Sequence, residues 1–227
     1  MSVAILCYHQ VDQVQNVGRR LNIEPSRLAS HVRFFSRRTP VICVRNLLDW
    51  PNSGICFTFD DAYRSTMANA PEIFERFGVR ATFYAVTDLV GLTSTWDGPK
   101  AQPLADWDAL RDAQKRGHEI GNHSVSHPHF KKLSAQAQIL EISSAHARLL
   151  KEGITCESFC LPYGSFNDDS SVAIQKSGYH IGLSLRKGRA QLFHDRSLLP
   201  RIAVAYSDAL PLLLYKLYLR PRAKILR

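Results

Sequence analysis

Short apolar runs alternate with amphipathic stretches along most of this chain, and that alternation limits the possible folds more than any other feature. Residues 3–8, 41–44, 55–59, 81–86, 119–122, 158–161, 179–183 and 202–205 read as strands. Helical spacing fills most of the gaps: Ser26 caps a segment through Arg37, Pro71 sits within the pattern 64–77, and 104–116, 134–151 and 168–176 follow. Gly78, Gly117, Gly153 and Gly178 stand where glycine ends a helix. Nearly continuous apolar strands separated by helices predict a parallel sheet covered by helices, hence an α/β fold. A complete eight-unit barrel takes about 250 residues. With 227 residues available, the expected architecture is a single domain built as a distorted, incomplete (β/α) barrel of about seven strands.

Composition supports a packed core, since 45% of residues are hydrophobic and 22% charged. A chain disordered as a whole is excluded. The net charge is +9, but residues 216–227 carry Lys216, Arg220, Arg222, Lys224 and Arg227 with no acid, so the body is close to ordinary. Five cysteines, Cys7, Cys43, Cys56, Cys156 and Cys160, form no CxxC pair and read as buried free thiols suited to a reducing compartment. The apolar start is shorter than the roughly 7–15 residues of a secretory signal core, and no stretch approaches the ~20 residues of a membrane span. The expected location is therefore cytoplasmic.

Three segments carry chemistry. The strand Ile55-Cys56-Phe57-Thr58-Phe59 runs into two adjacent carboxylates, Asp60 and Asp61. Two acids side by side repel unless one meets a cation and the other a proton or a cationic partner, although aspartate at a helix start also serves as a cap. His123 and His127 lie just past the strand 119–122, four residues apart. If they occupy a turn, both imidazoles can share a cation such as zinc, with a carboxylate completing an open three-ligand set; paired surface histidines are the plainer reading. His118 and His129 look like solvent or supporting residues. Phe159-Cys160-Leu161-Pro162-Tyr163-Gly164 is a strand ending in a turn, where Pro162 presets the chain and the Tyr163 amide and ring could face a ligand.

Taken together these segments resemble the polysaccharide deacetylases of carbohydrate esterase family 4, the NodB homology domain. Thr58-Phe59-Asp60-Asp61 is similar to the family's first motif, Trp107-Asp108 through Gly117-His118-Glu119-Ile120-Gly121-Asn122-His123 to His127 to its second, and Leu161-Pro162-Tyr163-Gly164 to its third. Leu6-Cys7-Tyr8-His9-Gln10-Val11 and Arg80-Ala81-Thr82-Phe83-Tyr84 also look like this family. The resemblance implies a catalytic domain over residues 1–206, followed by a C-terminal helix and basic tail over 207–227. It implies a metal-dependent hydrolase that removes acetyl from N-acetylhexosamine units of a polysaccharide, oligosaccharide or glycan precursor. Asp61, His123 and His127 would hold a divalent metal, Zn2+ first and Co2+ or Ni2+ as alternatives. Asp60 would be the general base, and the Tyr163 amide would stabilise the oxyanion. Pro162, Tyr163 and His9 would line the substrate cleft.

The chain departs from that pattern in two places. Many members carry an arginine two residues before the proline of the third motif, where it steadies the catalytic aspartate; here Cys160 stands there, and Arg201 is the candidate to supply the missing guanidinium. Leu192-Phe193-His194 matches the letters of the family's late histidine motif, so His194 is a candidate general acid, although no apolar strand precedes it. These departures leave open a catalytically impaired carbohydrate-binding member of the fold. A deacylase or deformylase of a nucleotide-linked sugar would use the same site.

Leu210, Leu213, Leu214, Leu217 and Tyr218 recur at helical spacing ahead of the basic end. They predict a helix packed on the barrel, with peripheral membrane contact through the basic tail as the alternative. No reading helix or RNA motif accompanies the charge, so nucleic acid is not an expected partner; the expected partner is a glycan substrate.

Overall fold

On the first strand, β1 (Ser2–Tyr8), Val3 and Ile5 belong to one buried cluster while Ala4, Leu6 and Tyr8 belong to another. Alternation between two apolar environments is what a strand buried on both faces requires. A computed structural model of the chain, describing residues 2–13 and 21–219, shows how the other strands share this arrangement. After β1 come β2 (Gln10–Val11) and β3 (Asn22–Ile23), a small parallel pair of their own. The remaining strands are β4 (Ser53–Phe59), β5 (Thr82–Ala85), β6 (Glu119–Asn122), β7 (Phe159–Cys160), β8 (Gly182–Lys187), β9 (Ala190–Gln191) and β10 (Leu199–Ala203).

Strands β1, β4, β5, β6, β7, β8 and β10 are parallel neighbours in that order. β10 returns to β1 with Leu6 opposite Ile202 and Cys7 opposite Ala203, so seven parallel strands close a barrel. β9 runs antiparallel beside the first two residues of β1. Helices α1 (Pro25–Ser36), α2 (Arg64–Glu75), α3 (Trp107–Lys115), α4 (Ala135–Lys151) and α5 (Ser170–Lys176) fill the connections, and α6 (Leu210–Leu214) continues into a wider turn over Tyr215–Leu219.

Local chemistry explains where these elements differ from the sequence reading. α1 begins at Pro25 with Glu24 before it, because the fixed φ of proline suits a first helical position and displaces Ser26 from the cap. Residues 41–44 do not make a strand. Val41 forms a single bridge to Ile55, after which the Asn46 side chain accepts the Cys43 N–H and starts a tight turn over Val44–Leu48. Tyr179 ends α5 by donating its N–H to Ile174, which delays the next strand to Gly182.

Between sheet and helices, Phe74 packs edge-on against Phe57 and Phe59 at 5.1 and 5.8 Å, and Phe59 stacks on Phe83 at 5.0 Å. Burying each such ring contributes ~1.5–3 kcal/mol. Inside the barrel, Tyr84 packs with Cys56, Cys160, Leu183 and Leu199. A Cβ at Gly121 would come within 2.2 Å of the Tyr84 ring, so the absent side chain on β6 is what admits that tyrosine. Since all seven barrel strands point the same way, the residues that follow β4, β6 and β7 emerge on one rim, where α/β barrels place their chemistry.

Candidate active site

Asp60 and Asp61 follow directly after β4, and both are buried. Arg201, reaching in from β10, grips Asp60 with two bonds, Nη1 to Oδ1 at 2.7 Å and Nη2 to Oδ2 at 2.8 Å. The guanidinium is itself fixed, donating Nε to the Ser184 carbonyl at 3.0 Å and Nη1 to Thr58 Oγ1 at 3.2 Å. Two thiols complete the cradle: Cys7 Sγ lies 3.5 Å from Asp60 Oδ2 and Cys160 Sγ 3.6 Å from Oδ1. Burial pushes both thiols up, so they remain protonated donors. Burial would also raise Asp60, but the Arg201 guanidinium outweighs it and holds this carboxyl well below the usual carboxylate range. Asp60 is therefore an anion, bound from three strands.

Asp61 faces the other way, toward two imidazoles. Its Oδ1 is 3.5 Å from His123 Nε2 and 3.1 Å from His127 Nε2. Nδ1 of His123 lies 2.8 Å from the Cys160 carbonyl, which can only accept, so the neutral ring carries its proton on Nδ1 and turns the Nε2 lone pair toward Asp61. Beyond these imidazoles, neither carboxylate oxygen of Asp61 has a hydrogen-bond partner among the described residues, although both are buried. Burial lowers the His127 pKa despite the pull of Asp61, which favours a neutral ring with a lone pair to offer. A buried anion facing two imidazoles, with the His123 Nε2 lone pair turned toward it, is an arrangement that a cation would satisfy. The ligand atoms of Asp61, His123 and His127 lie within 4.8 Å of one another, and this donor set fits a divalent metal with further positions open.

The loop carrying both histidines is held from behind. Glu141 on α4 accepts the Val125 and Ser126 N–H groups at 3.0 Å each and the Ser126 hydroxyl at 2.8 Å. Asn122 accepts the Ser124 N–H at 2.8 Å, and the Ser124 and Val125 carbonyls accept from Thr87 and Asp88. Asp61, Ala62, Ser124, His127 and Tyr163 all have left-handed φ, between 49° and 72°; among the described non-glycine residues only Trp50 joins them. Each such conformation costs ~1–3 kcal/mol, and strain of this kind concentrates at functional sites.

Pro162 and Tyr163 form the turn after β7. Gly164 follows with φ +60°, and a Cβ there would meet the Leu185 backbone nitrogen at 2.5 Å, so the turn requires glycine. The Tyr163 ring stacks on His129 at 3.9 Å and leans on His127 at 4.5 Å. On the other side the Trp96 indole stacks on His127 at 3.9 Å. Trp96 Nε1 donates to the Tyr63 hydroxyl, which in turn donates to Asp97. Sequence reasoning missed Trp96, Tyr63, Cys7 and Glu141. Strand alternation could have signalled Cys7, which shares the inward parity of Val3 and Ile5.

His9 lies on the same rim, with Nε2 4.0 Å from Asp60 Oδ2, and burial lowers its pKa. His118 belongs to the architecture: Nδ1 accepts the Ala81 N–H, and Nε2 donates to Glu75 at 3.0 Å. The expectation for His194 is corrected. This residue follows β9, which pairs with Ser2 and Val3 at the start of β1, whereas the site stands beyond the far end of that strand. At ~3.3 Å per residue the two ends of β1 are about 20 Å apart. His194 instead closes a local turn, accepting the Gln191 N–H at 3.2 Å.

The family model described as polysaccharide deacetylase matches residues 49–182, more than half of the sequence. The chain belongs to this family. Among curated relatives of this polysaccharide deacetylase family member, YxkH of Bacillus subtilis (strain 168), named for the same family, is 22% identical over 212 residues, covering 88% of this chain and 71% of YxkH. A poly-beta-1,6-N-acetyl-D-glucosamine N-deacetylase of Staphylococcus aureus (strain MSSA476) is 22% identical over 162 residues; the match covers 69% of this chain and 56% of that protein. Among solved structures, the Streptococcus pyogenes deacetylase PplD in complex with acetate superposes with a TM-score of 0.80 at 19% identity, covering 96% of this chain and 98% of that one. A de-N-acetylase from Aggregatibacter actinomycetemcomitans gives 0.79 at 16% identity, covering 96% and 100%. These likenesses establish the fold as that of the family.

Proposed function

We propose that the chain is a divalent-metal-dependent hydrolase that removes acetyl groups from N-acetylhexosamine units of a glycan. The observation that carries this reading is the convergence of Asp61, His123 and His127 beside a second carboxylate, Asp60, held apart from them by Arg201. The similarity to a poly-N-acetylglucosamine N-deacetylase supports the choice of substrate class.

Asp61, His123 and His127 would hold the cation. Zinc, or cobalt or nickel in its place, supplies Lewis acidity to the amide carbonyl and brings the pKa of the attacking water towards about 7. Asp60 would receive the proton that this water loses. Its oxygens already accept from Arg201 and, more weakly, from the Cys7 and Cys160 thiols, so the incoming proton would take the place of one of the long thiol contacts. Once protonated, Asp60 can return the proton to the departing amine, acting first as base and then as acid. The Tyr163 backbone N–H would donate to the oxyanion, and losing one such donor costs about 2.7–4 kcal/mol of barrier. Pro162 and the Tyr163 ring would bound the sugar-facing side of the cleft, with His9 beside Asp60. The guanidinium that Arg201 brings to Asp60 from another strand favours this reading over a catalytically impaired carbohydrate-binding member of the fold, the alternative that the altered third motif and the late histidine had left open.

The test is acetate release by the zinc- or cobalt-loaded protein from chitooligosaccharides, β-1,6-linked N-acetylglucosamine oligomers and nucleotide-linked N-acetyl sugars, with Asp60→Asn in parallel. The expected result is release from at least one substrate and its loss in the variant. Loaded protein that releases no acetate from any of them would overturn the proposal.

A further inference from the structure

We propose that the end of the barrel opposite the Asp61 cluster docks on an anionic lipid surface. The first observation is the C-terminal helical segment. From Leu210 to Leu219 its one charged residue is Lys216, whose ammonium is turned back to Asp208 Oδ2 at 2.5 Å and to the Ala203 carbonyl at 3.3 Å. Leu213 and Leu217 are buried against the barrel, yet the outward residues Leu212, Tyr215, Tyr218 and Leu219 are also apolar or aromatic, and all are exposed. A helix lying on a protein in water normally turns polar residues outward. This one presents apolar surface on both sides.

The second observation is where that surface leads. The Arg189 guanidinium sits 5.8 Å from the Tyr218 ring and donates to Ser2 at the start of β1, which fixes the end of the helix at the end of the barrel where the strands begin. Leu192 and Phe193 project just beyond β9 at the same end, and Phe193 is 78% exposed. Arg196 donates to the carbonyl of Leu48, itself exposed, and lies over the Trp50 ring at 5.5 Å. Arg189 and Arg196 thus stand among exposed apolar side chains. Asp195 is engaged with Ser171 and Ser197, and Asp49, beside Leu48, is an exposed acid at this end.

The sequence continues into Arg220, Arg222, Lys224 and Arg227, whose placement lies outside the described residues. Exposed aromatic and aliphatic side chains bordered by basic ones match the boundary between headgroups and acyl chains of a membrane containing anionic lipid, where each basic group adds attraction. A second copy of the chain fits less well, because a symmetric contact would bring two basic ends of like sign together. None of the described helices is long and apolar enough to cross a membrane, so the contact is with the surface. The helical segment runs along the barrel wall from Ala203, at the rim end of β10, to Ser2, so its outward face would meet the lipid together with the end where the strands begin, leaving the rim bearing Asp60 and Asp61 to one side of the contact.

Cosedimentation of the full chain with phosphatidylcholine vesicles, with and without phosphatidylglycerol, tests the proposal independently of the chemistry at the other end. The protein should bind only vesicles containing phosphatidylglycerol and be released by salt. Removing residues 220–227, or combining Leu192→Ser with Phe193→Ser, should weaken binding at least about tenfold. Acetate release from a short soluble substrate, measured alongside, should not change in the serine variant. Binding unaffected by either change, equal binding to pure phosphatidylcholine, or no binding at all would overturn the proposal. So would light scattering that shows a dimer dissociated by Phe193→Ser.

Discussion

Arg201 and Asp60 meet through two parallel N–H···O bonds of 2.7 and 2.8 Å, although 141 residues separate them in sequence. Both are buried, so the pair positions the carboxylate and at the same time depends on being complete. Replacing Arg201 with Met leaves Asp60 as an uncompensated buried charge. The expected loss is roughly 3–5 kcal/mol in urea unfolding, together with a large fall in acetate release. Adding Cys160→Arg to this variant should recover part of both, by placing a guanidinium on β7, where the Cys160 thiol already lies 3.6 Å from Asp60 Oδ1. Unchanged stability in Arg201→Met would contradict the account.

Glu141 supports the loop carrying His123 and His127 without touching the proposed ligand atoms. Its carboxylate accepts three hydrogen bonds from Val125 and Ser126, midway between His123 and His127. Glu141→Ala should lower zinc affinity by about 10–100-fold while the protein stays folded, the effect expected for a residue that orients ligands from behind. Isothermal titration with zinc, accompanied by far-UV circular dichroism, checks both parts.

His31 gives the protein a pH-dependent term in stability that does not involve the proposed ligand atoms. It is buried on α1 with Nδ1 3.0 Å from the Tyr8 hydroxyl, and burial lowers its pKa from 6.5 to about 4. Between those values the unfolded chain binds the proton and the folded one does not, so stability falls as the pH drops from about 6.5 towards 4. The full effect is on the order of 3 kcal/mol at 1.36 kcal/mol per unit. Urea unfolding of His31→Gln should show a shallower loss of stability over this interval, and parallel curves would remove His31 as the cause.

Gly164→Ala should distort the turn that carries Tyr163. The φ of +60° disfavours alanine, and its Cβ would fall 2.4 Å from the Leu185 Cβ and 2.5 Å from the Leu185 nitrogen. A destabilisation of ~1–3 kcal/mol is expected from the strain alone. If the Tyr163 amide serves the oxyanion, kcat should fall more than KM rises, since the contact would be made in the transition state. A variant with wild-type melting temperature and kcat would show that the turn tolerates the methyl.

The sequence revealed the parts of the site that lie in short segments after apolar runs. Asp60, Asp61, His123, His127 and Tyr163 each follow a strand, and parallel strands deliver such residues to one rim. Arg201 could be inferred only from the uncharged Cys160, because nothing near Arg201 in sequence points to Asp60. Trp96 and Glu141 were not legible: one is placed by a loop held through Tyr63, the other is a polar residue on an amphipathic helix with no local mark of its target. His194 misled because three letters matched without the strand that gives them a position. Residues 41–44 are apolar enough for a strand, but the Asn46 side chain turns the backbone before a ladder can form.

The central claim is that Asp61, His123 and His127 bind a divalent cation while Asp60 remains outside the ligand set. Zinc content after equilibrium dialysis, compared among the wild type, Asp61→Ala, His123→Ala and Asp60→Asn, tests it most directly. The account predicts stoichiometric zinc in the wild type and in Asp60→Asn, and little or none in the other two variants. Zinc retained undiminished by Asp61→Ala and His123→Ala would contradict it.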